Sequence, residues 1–107
     1  MWRWIAACML SLSLPLSVTA APDAARQAEL RNLLQQDCGS CHGLTLKGGL
    51  GPALLPENLA GKPRELLLNT VRYGRPGTAM PPWGPLLSET DIAWLVDRLL
   101  AGNGVEK

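Results

Sequence analysis

Residues Cys38-Gly39-Ser40-Cys41-His42 decide how this chain is read: two thiols with two residues between them, and an imidazole directly after the second. Upstream, Ala24 to Gln36 (AARQAELRNLLQQ) is free of Gly and Pro, and Leu30, Leu33 and Leu34 recur at the spacing of one helical stripe. The pattern predicts a first helix ending near Asp37, with the Cys/His group at its end. Downstream, Gly43 to Gly61 holds Gly48-Gly49, Gly51-Pro52 and Pro56 without sustained periodicity, and reads as a long loop. A loop of that length in a small domain usually wraps something.

Further along, Pro63 stands in the first turn of a second predicted helix that runs through Arg64 to Tyr73 and stops at Gly74. Pro76, Gly77, Pro81, Pro82, Gly84 and Pro85 then forbid helix and disfavour strand, so Arg75 to Leu87 is expected to be a stiff extended loop around Met80. Ser88, with Asp91 three positions on, caps a last helix whose apolar face is Ile92, Leu95, Val96, Leu99 and Leu100, closed by Gly102. Tyr73 and Trp94 read as core, packed against the first helix and the group that the long loops wrap. No repeat or strand run appears, so the expected fold class is all-α, with three principal helices and long loops.

The chain has 107 residues and a formal net charge of +1, with ten Lys and Arg against nine Asp and Glu. So balanced a charge excludes nucleic-acid binding as an electrostatic business. At the N-terminus, Arg3, the apolar run Ile5 to Leu16 and the small residues of Val18-Thr19-Ala20-Ala21 read as a secretory signal spanning residues 1–21, cleaved after Ala20 or Ala21. The apolar run is short of the ~20 residues that span a bilayer, so no membrane anchor is expected in the mature form. Residues 22–107 are then one periplasmic domain. They contain no Phe, and Tyr73, Trp83 and Trp94 are their only aromatic residues. A domain so poorly supplied with large core side chains needs a staple or a large apolar guest.

Loss of the signal removes Cys8, Met1 and Met9, which leaves Cys38, Cys41, His42 and Met80 as the only sulfur and imidazole side chains. The C-x-x-C-H spacing suits covalent attachment of one haem c: two thiols add to its two vinyl groups, and His42 is held beneath the iron. A thioredoxin-like pair lacks its leading strand, and a zinc site lacks two further ligands. A local disulfide is the competing reading. Met80, on its stiff loop, is the candidate for the sixth ligand, its competing role being plain core filling. With His and Met both bound, the iron has no open position for a substrate, so such a site passes single electrons and the chain is not read as an enzyme.

On these residues the chain resembles class I c-type cytochromes. The stretches that carry the resemblance are residues 37–55 (DCGSCHGLTLKGGLGPALL) and 74–83 (GRPGTAMPPW), and it extends from about Ala24 to Ala101. It implies helices and loops wrapped around one haem, a terminal helix packed across the first, and a hydrogen bond from the His42 imidazole to the carbonyl of Pro52. Within that family the wording of the two loops is similar to the cytochrome c55X group, small periplasmic haem proteins associated with cytochrome cd1 nitrite reductase in denitrifying bacteria. The nitrite context comes from this resemblance alone; it implies electron supply to the reductase, or a part in maturing its d1 haem.

Trp83 is expected to pack on the porphyrin, with donation of its indole N–H to a propionate as the alternative. Between His42 and Arg75, the basic residues Lys47, Lys62, Arg64, Arg72 and Arg75 outnumber Glu57 and Glu65. They suggest a mildly basic rim for an acidic partner, against the plainer reading of solvated surface. Three functions follow: a monomeric one-electron carrier, a maturation or scaffold protein for d1 haem, and a small peroxidase or gas sensor with an open iron position.

Overall fold

The first helix starts where Asp23 accepts a hydrogen bond from the Arg26 amide at 2.8 Å, satisfying one of the free N–H groups of the opening turn. The structure is a computed structural model that describes residues 11–14 and 21–104. The expected signal segment, with Cys8, therefore lies outside the described residues except for 11–14 and Ala21. Helix α1 covers Ala24–Leu33, continues without a break through a π-helical turn at Leu34–Cys38, and ends as the short α2, Gly39–His42. The expected end near Asp37 is thus corrected. Gly39 donates to the Leu34 carbonyl across the wide turn, and the Ser40 hydroxyl donates to the Asp37 carbonyl at 2.7 Å, so residues with low helix propensity are carried on to His42. Both cysteines and the histidine lie on helix, not after it.

The expected loop 43–61 contains one further short element, α3 at Pro56–Leu59, whose Leu59 is buried. Helix α4 is Arg64–Tyr73, entered through Pro63, and α5 is Glu89–Leu100. At the start of α5 the amide of Asp91 donates to the Ser88 hydroxyl at 3.1 Å while the Ser88 amide donates to the Asp91 carboxylate at 3.2 Å. The described residues are helical and contain no strand.

The core is nine aliphatic side chains: Leu30, Leu34, Leu46, Leu59, Leu87, Ile92, Leu95, Val96 and Leu99. No aromatic ring belongs to it. Tyr73 is 64 % exposed with the Arg72 guanidinium above its ring, and Trp94 is half-buried beside the guanidinium groups of Arg31 and Arg98. Nor is any residue of α4 fully buried, although its Leu67, Leu68 and Val71 touch the core. That helix presents apolar surface which the protein covers only on one side.

Ion pairs tie the last helix to the others. Arg26 of α1 meets Asp91 at 2.8 Å, Arg64 of α4 grips Asp97 through two bonds of 2.8 and 3.0 Å, and Arg72 of α4 meets Glu89 at 3.0 Å. The last two are solvent-exposed and contribute little. Asp91 is different because it is almost covered, and the Arg26 guanidinium holds its carboxyl below the usual carboxylate range. A depressed value means stability that is present above the unfolded value of about 4 and is lost as pH falls through the folded one. Asp91→Asn should therefore be less stable than the parent in urea melts at pH 7, and the gap should shrink on acidification below about pH 4. A gap unchanged between pH 7 and 3 would mean that the charge is not what Arg26 responds to.

Candidate functional site

The end of the first helix gathers the chemistry. Cys38 closes the π-turn, Cys41 and His42 stand on the next turn, and both cysteines are free thiols. Burial, reinforced by neighbouring Asp37, pushes the Cys38 thiol up to about 11, so at neutral pH it is a protonated thiol in a largely apolar setting. Among the described residues no three His, Cys, Asp or Glu side chains converge as a metal cage.

A helix that ends at His42 leaves carbonyls without partners, and the following loop folds back to supply them. Gly48 donates to the His42 carbonyl at 2.9 Å and Gly51 to the Cys41 carbonyl at 2.7 Å. The same return brings the Pro52 carbonyl 2.6 Å from Nδ1 of His42. A carbonyl only accepts, so Nδ1 carries the proton and Nε2 is left with the free lone pair that a metal requires. Gly51 permits this approach: a Cβ there would lie 2.8 Å from Cε1 and 2.9 Å from Nδ1 of the imidazole. Cys38, Cys41, His42 and Pro52 are thus one constellation.

Met80 and Trp83 belong to a second one, on the loop between α4 and α5. The loop turns at Gly74, whose φ is +67° and whose Cα lies so close to the Met80 carbonyl that a side chain would strike it. It is closed by hydrogen bonds from the Arg75 amide to the Met80 carbonyl at 3.2 Å and from the Thr78 amide and hydroxyl to the Arg75 carbonyl. The amides of Trp83 and Gly84 then donate to the carbonyls of Val71 and Arg72, pinning the loop along the last turn of α4. Met80 and Trp83 are both half-buried, Trp83 against the core.

A family profile described as cytochrome c oxidase, cbb3-type, subunit III matches residues 25–97. Cytochrome c55X of Pseudomonas aeruginosa is 63 % identical over 101 residues, covering 94 % of this chain and 85 % of that protein, and cytochrome c55X of Stutzerimonas stutzeri is 67 % identical over 91 residues, covering 85 % and 80 %. The chain belongs to the cytochrome c55X family of c-type cytochromes. A solved structure of the c-type cytochrome NirC superposes with a TM-score of 0.77 at 67 % identity, over 79 % of this chain and all of that one. More distantly, 36 % identity over 91 residues relates this cytochrome to 18 % of the length of dihydro-haem d1 dehydrogenase from Pseudomonas aeruginosa.

As a c-type cytochrome it has haem c as its covalently bound cofactor, and the residues present fit that group. Two free thiols at the required spacing, an imidazole with Nε2 as its open donor, and the incompletely covered apolar side chains Leu54, Leu55, Leu67, Val71 and Trp83 are what such a flat, largely apolar group needs. Sequence reasoning missed two residues on which this site depends. Leu46 is buried, 3 % exposed, and it anchors the returning loop; as one leucine among loop residues it gave no periodic signal. Gly51 could be read as a turn residue, but not as the one that faces the imidazole.

Gly51→Ala should displace the imidazole and weaken its bond to Pro52. The expected result is a lower yield of covalently loaded protein, assayed as pyridine haemochrome against total protein, while Gly61→Ala, which bears the strain of a positive φ of +80° but meets nothing within 4 Å and lies away from both groups of site residues, loads better than Gly51→Ala. Equal yields from both would show that the contact with His42 is dispensable.

Proposed function

We propose that this cytochrome is a periplasmic, monomeric, monohaem one-electron carrier that serves the nitrite reductase of denitrification. In this reading residues 1–21 are a cleaved signal, residues 22–107 form a class I cytochrome c domain, and the helices 24–42, α4 and α5 with their long loops enclose one haem held by Cys38 and Cys41. The group supplies a one-electron couple whose iron is ligated by His42 and Met80. The observation that carries the proposal is the 2.6 Å contact between Nδ1 of His42 and the Pro52 carbonyl, because it orients the ring and leaves Nε2 to bind.

The protein's own work is then to hold, exclude and present. Pro52 and the hydrogen-bonded loop around it keep the imidazole in one tautomer. The Gly74 turn and its hydrogen bonds hold Met80 in place from the other loop, and a thioether at that position favours the reduced iron. With His42 and Met80 both bound to it, the group would offer no open position to a substrate, and the protein would act as a carrier rather than an enzyme. Trp83 would pack against the group from the Met80 loop. Neither nucleic acid nor, in the mature form, membrane is a partner.

For docking, the five basic residues of residues 47–75 reduce to three. Arg64 and Arg72 are occupied by Asp97 and Glu89, whereas Lys47, Lys62 and Arg75 have no ion-pair partner among the described residues and remain for an acidic redox partner, cytochrome cd1 nitrite reductase in this reading. A second reading, maturation of d1 haem, is favoured by the relation to dihydro-haem d1 dehydrogenase. In that case Met80 would be displaceable, and stoichiometric delivery of d1 haem to reductase lacking it would be observed.

Absorption spectra separate the readings. The loaded protein should be low-spin, with a weak thioether-to-iron band near the red end that disappears in Met80→Ala, and the variant's reduction potential should fall. A high-spin spectrum in the parent protein would remove Met80 as a stable ligand and move the maturation reading ahead. For the docking rim, the rate of electron transfer to the partner should fall steeply as ionic strength rises from about 0.01 to 0.1 M, less so in Lys47→Ala/Lys62→Ala/Arg75→Ala. A salt-independent rate would dispose of the rim.

A further inference from the structure

We infer that Leu46 is a positioning residue for the His42 imidazole, acting through the Pro52 carbonyl, and that the C-terminal turn at Gly104 is the seat that holds Leu46 in place. The inference rests on the reading of His42 as the iron ligand and deepens it.

Between Gly43 and Pro52 the chain displays its side chains outward: Leu44 is 67 % and Leu50 82 % exposed, and Thr45 and Lys47 are exposed as well. Leu46 alone of these side chains enters the core. Its backbone carries the cost of doing so, because φ is +58°, a left-handed conformation that an L-residue with a Cβ adopts against steric resistance, and Leu46 is the only non-glycine residue with positive φ among those described. Such strain persists only where surrounding contacts impose it. Here the contacts are the buried side chain and two hydrogen bonds at the neck of the loop: the Leu46 amide donates to the Gly43 carbonyl at 2.8 Å, and the Leu54 amide donates to the Leu46 carbonyl at 2.9 Å. Gly43 follows His42 directly, and Leu54 lies two residues beyond Pro52. The depth to which Leu46 is inserted therefore sets where Pro52 stands relative to the imidazole.

The far end of the side chain meets the C-terminal turn. A Cβ at buried Gly104 would lie 2.5 Å from Cδ1 of Leu46 and 3.0 Å from Cδ2 of Leu99. Nothing larger than hydrogen fits between them unless Leu46 moves. The turn that follows α5, with Gly104 lying 58 residues beyond Leu46 in sequence, is therefore in mechanical contact with the loop that carries the hydrogen bond to the proximal ligand.

The test uses the fully haem-loaded protein, with the exchange rate of the His42 Nδ1–H measured by nitrogen-15 NMR in the reduced state and the reduction potential measured in parallel. Leu46→Ala should speed exchange by about tenfold or more and raise the potential, since a weaker bond to Pro52 makes the imidazole a poorer donor to ferric iron. Gly104→Ala should do the same from a distance, and Leu46→Met, close in volume, should restore most of the parent behaviour. Leu95→Ala, an equally buried core truncation on α5, should lower the thermal midpoint and leave exchange and potential near the parent values. Parent-like exchange in both Leu46→Ala and Gly104→Ala would overturn the inference, and so would equal acceleration in Leu95→Ala at matched stability. A high-spin parent protein, or one without a His42 Nδ1–H signal shifted by the ring, would instead bring down the ligand reading and the inference with it.

Discussion

One hydrogen bond governs the arrangement of this molecule, that between Nδ1 of His42 and the carbonyl of Pro52 at 2.6 Å. For an imidazole on the last turn of a helix, rotation about the side-chain bonds is otherwise restrained only by packing. The bond removes that freedom and fixes which nitrogen holds the proton. Everything adjacent serves it: the helix must run as far as His42, the chain must return within ten residues, and it must pass so near that only a hydrogen atom fits on the Cα of Gly51. The returning amides of Gly48 and Gly51 satisfy the helix-end carbonyls on the way, so capping of the helix and support of the ligand are one structure.

The two groups of candidate site residues are built on different supports. Cys38, Cys41, His42 and Pro52 belong to a helix end and the loop that caps it. Met80 and Trp83 belong to a proline-stiffened loop hung on the final turn of α4 by the backbone bonds to Val71 and Arg72. Between them the chain has an aliphatic core without a ring in it, and an α4 whose apolar residues are touched on one side only. In the proposed reading the covalent cofactor supplies that missing apolar mass, so that the group which does the chemistry would also complete the interior.

Much of this was legible in the residues. The α4 boundaries follow from Pro63 and Gly74, the α5 start follows from Ser88 and Asp91, and the thiol–imidazole spacing points to a single cofactor without help from the fold. The length of the first helix was not legible, because Gly39 and Ser40 have low helix propensity, whereas a π-turn and a hydroxyl bond to Asp37 let the helix pass through them. Leu46 was hidden for a related reason: its burial comes from one left-handed residue inside a glycine-rich loop, and neither a period of two nor one of 3.6 registers a single insertion.

The distribution of ion pairs bears on how the molecule is held together. Arg26, Arg64 and Arg72, on two different helices, all find their long-range carboxylates on α5. α5 is therefore the common partner of the helix that bears both thiols and of α4, and the turn after it seats Leu46. The helix end with its cysteines and the helix from which the Met80 loop hangs are tied to one another through an element that contributes no candidate site residue of its own.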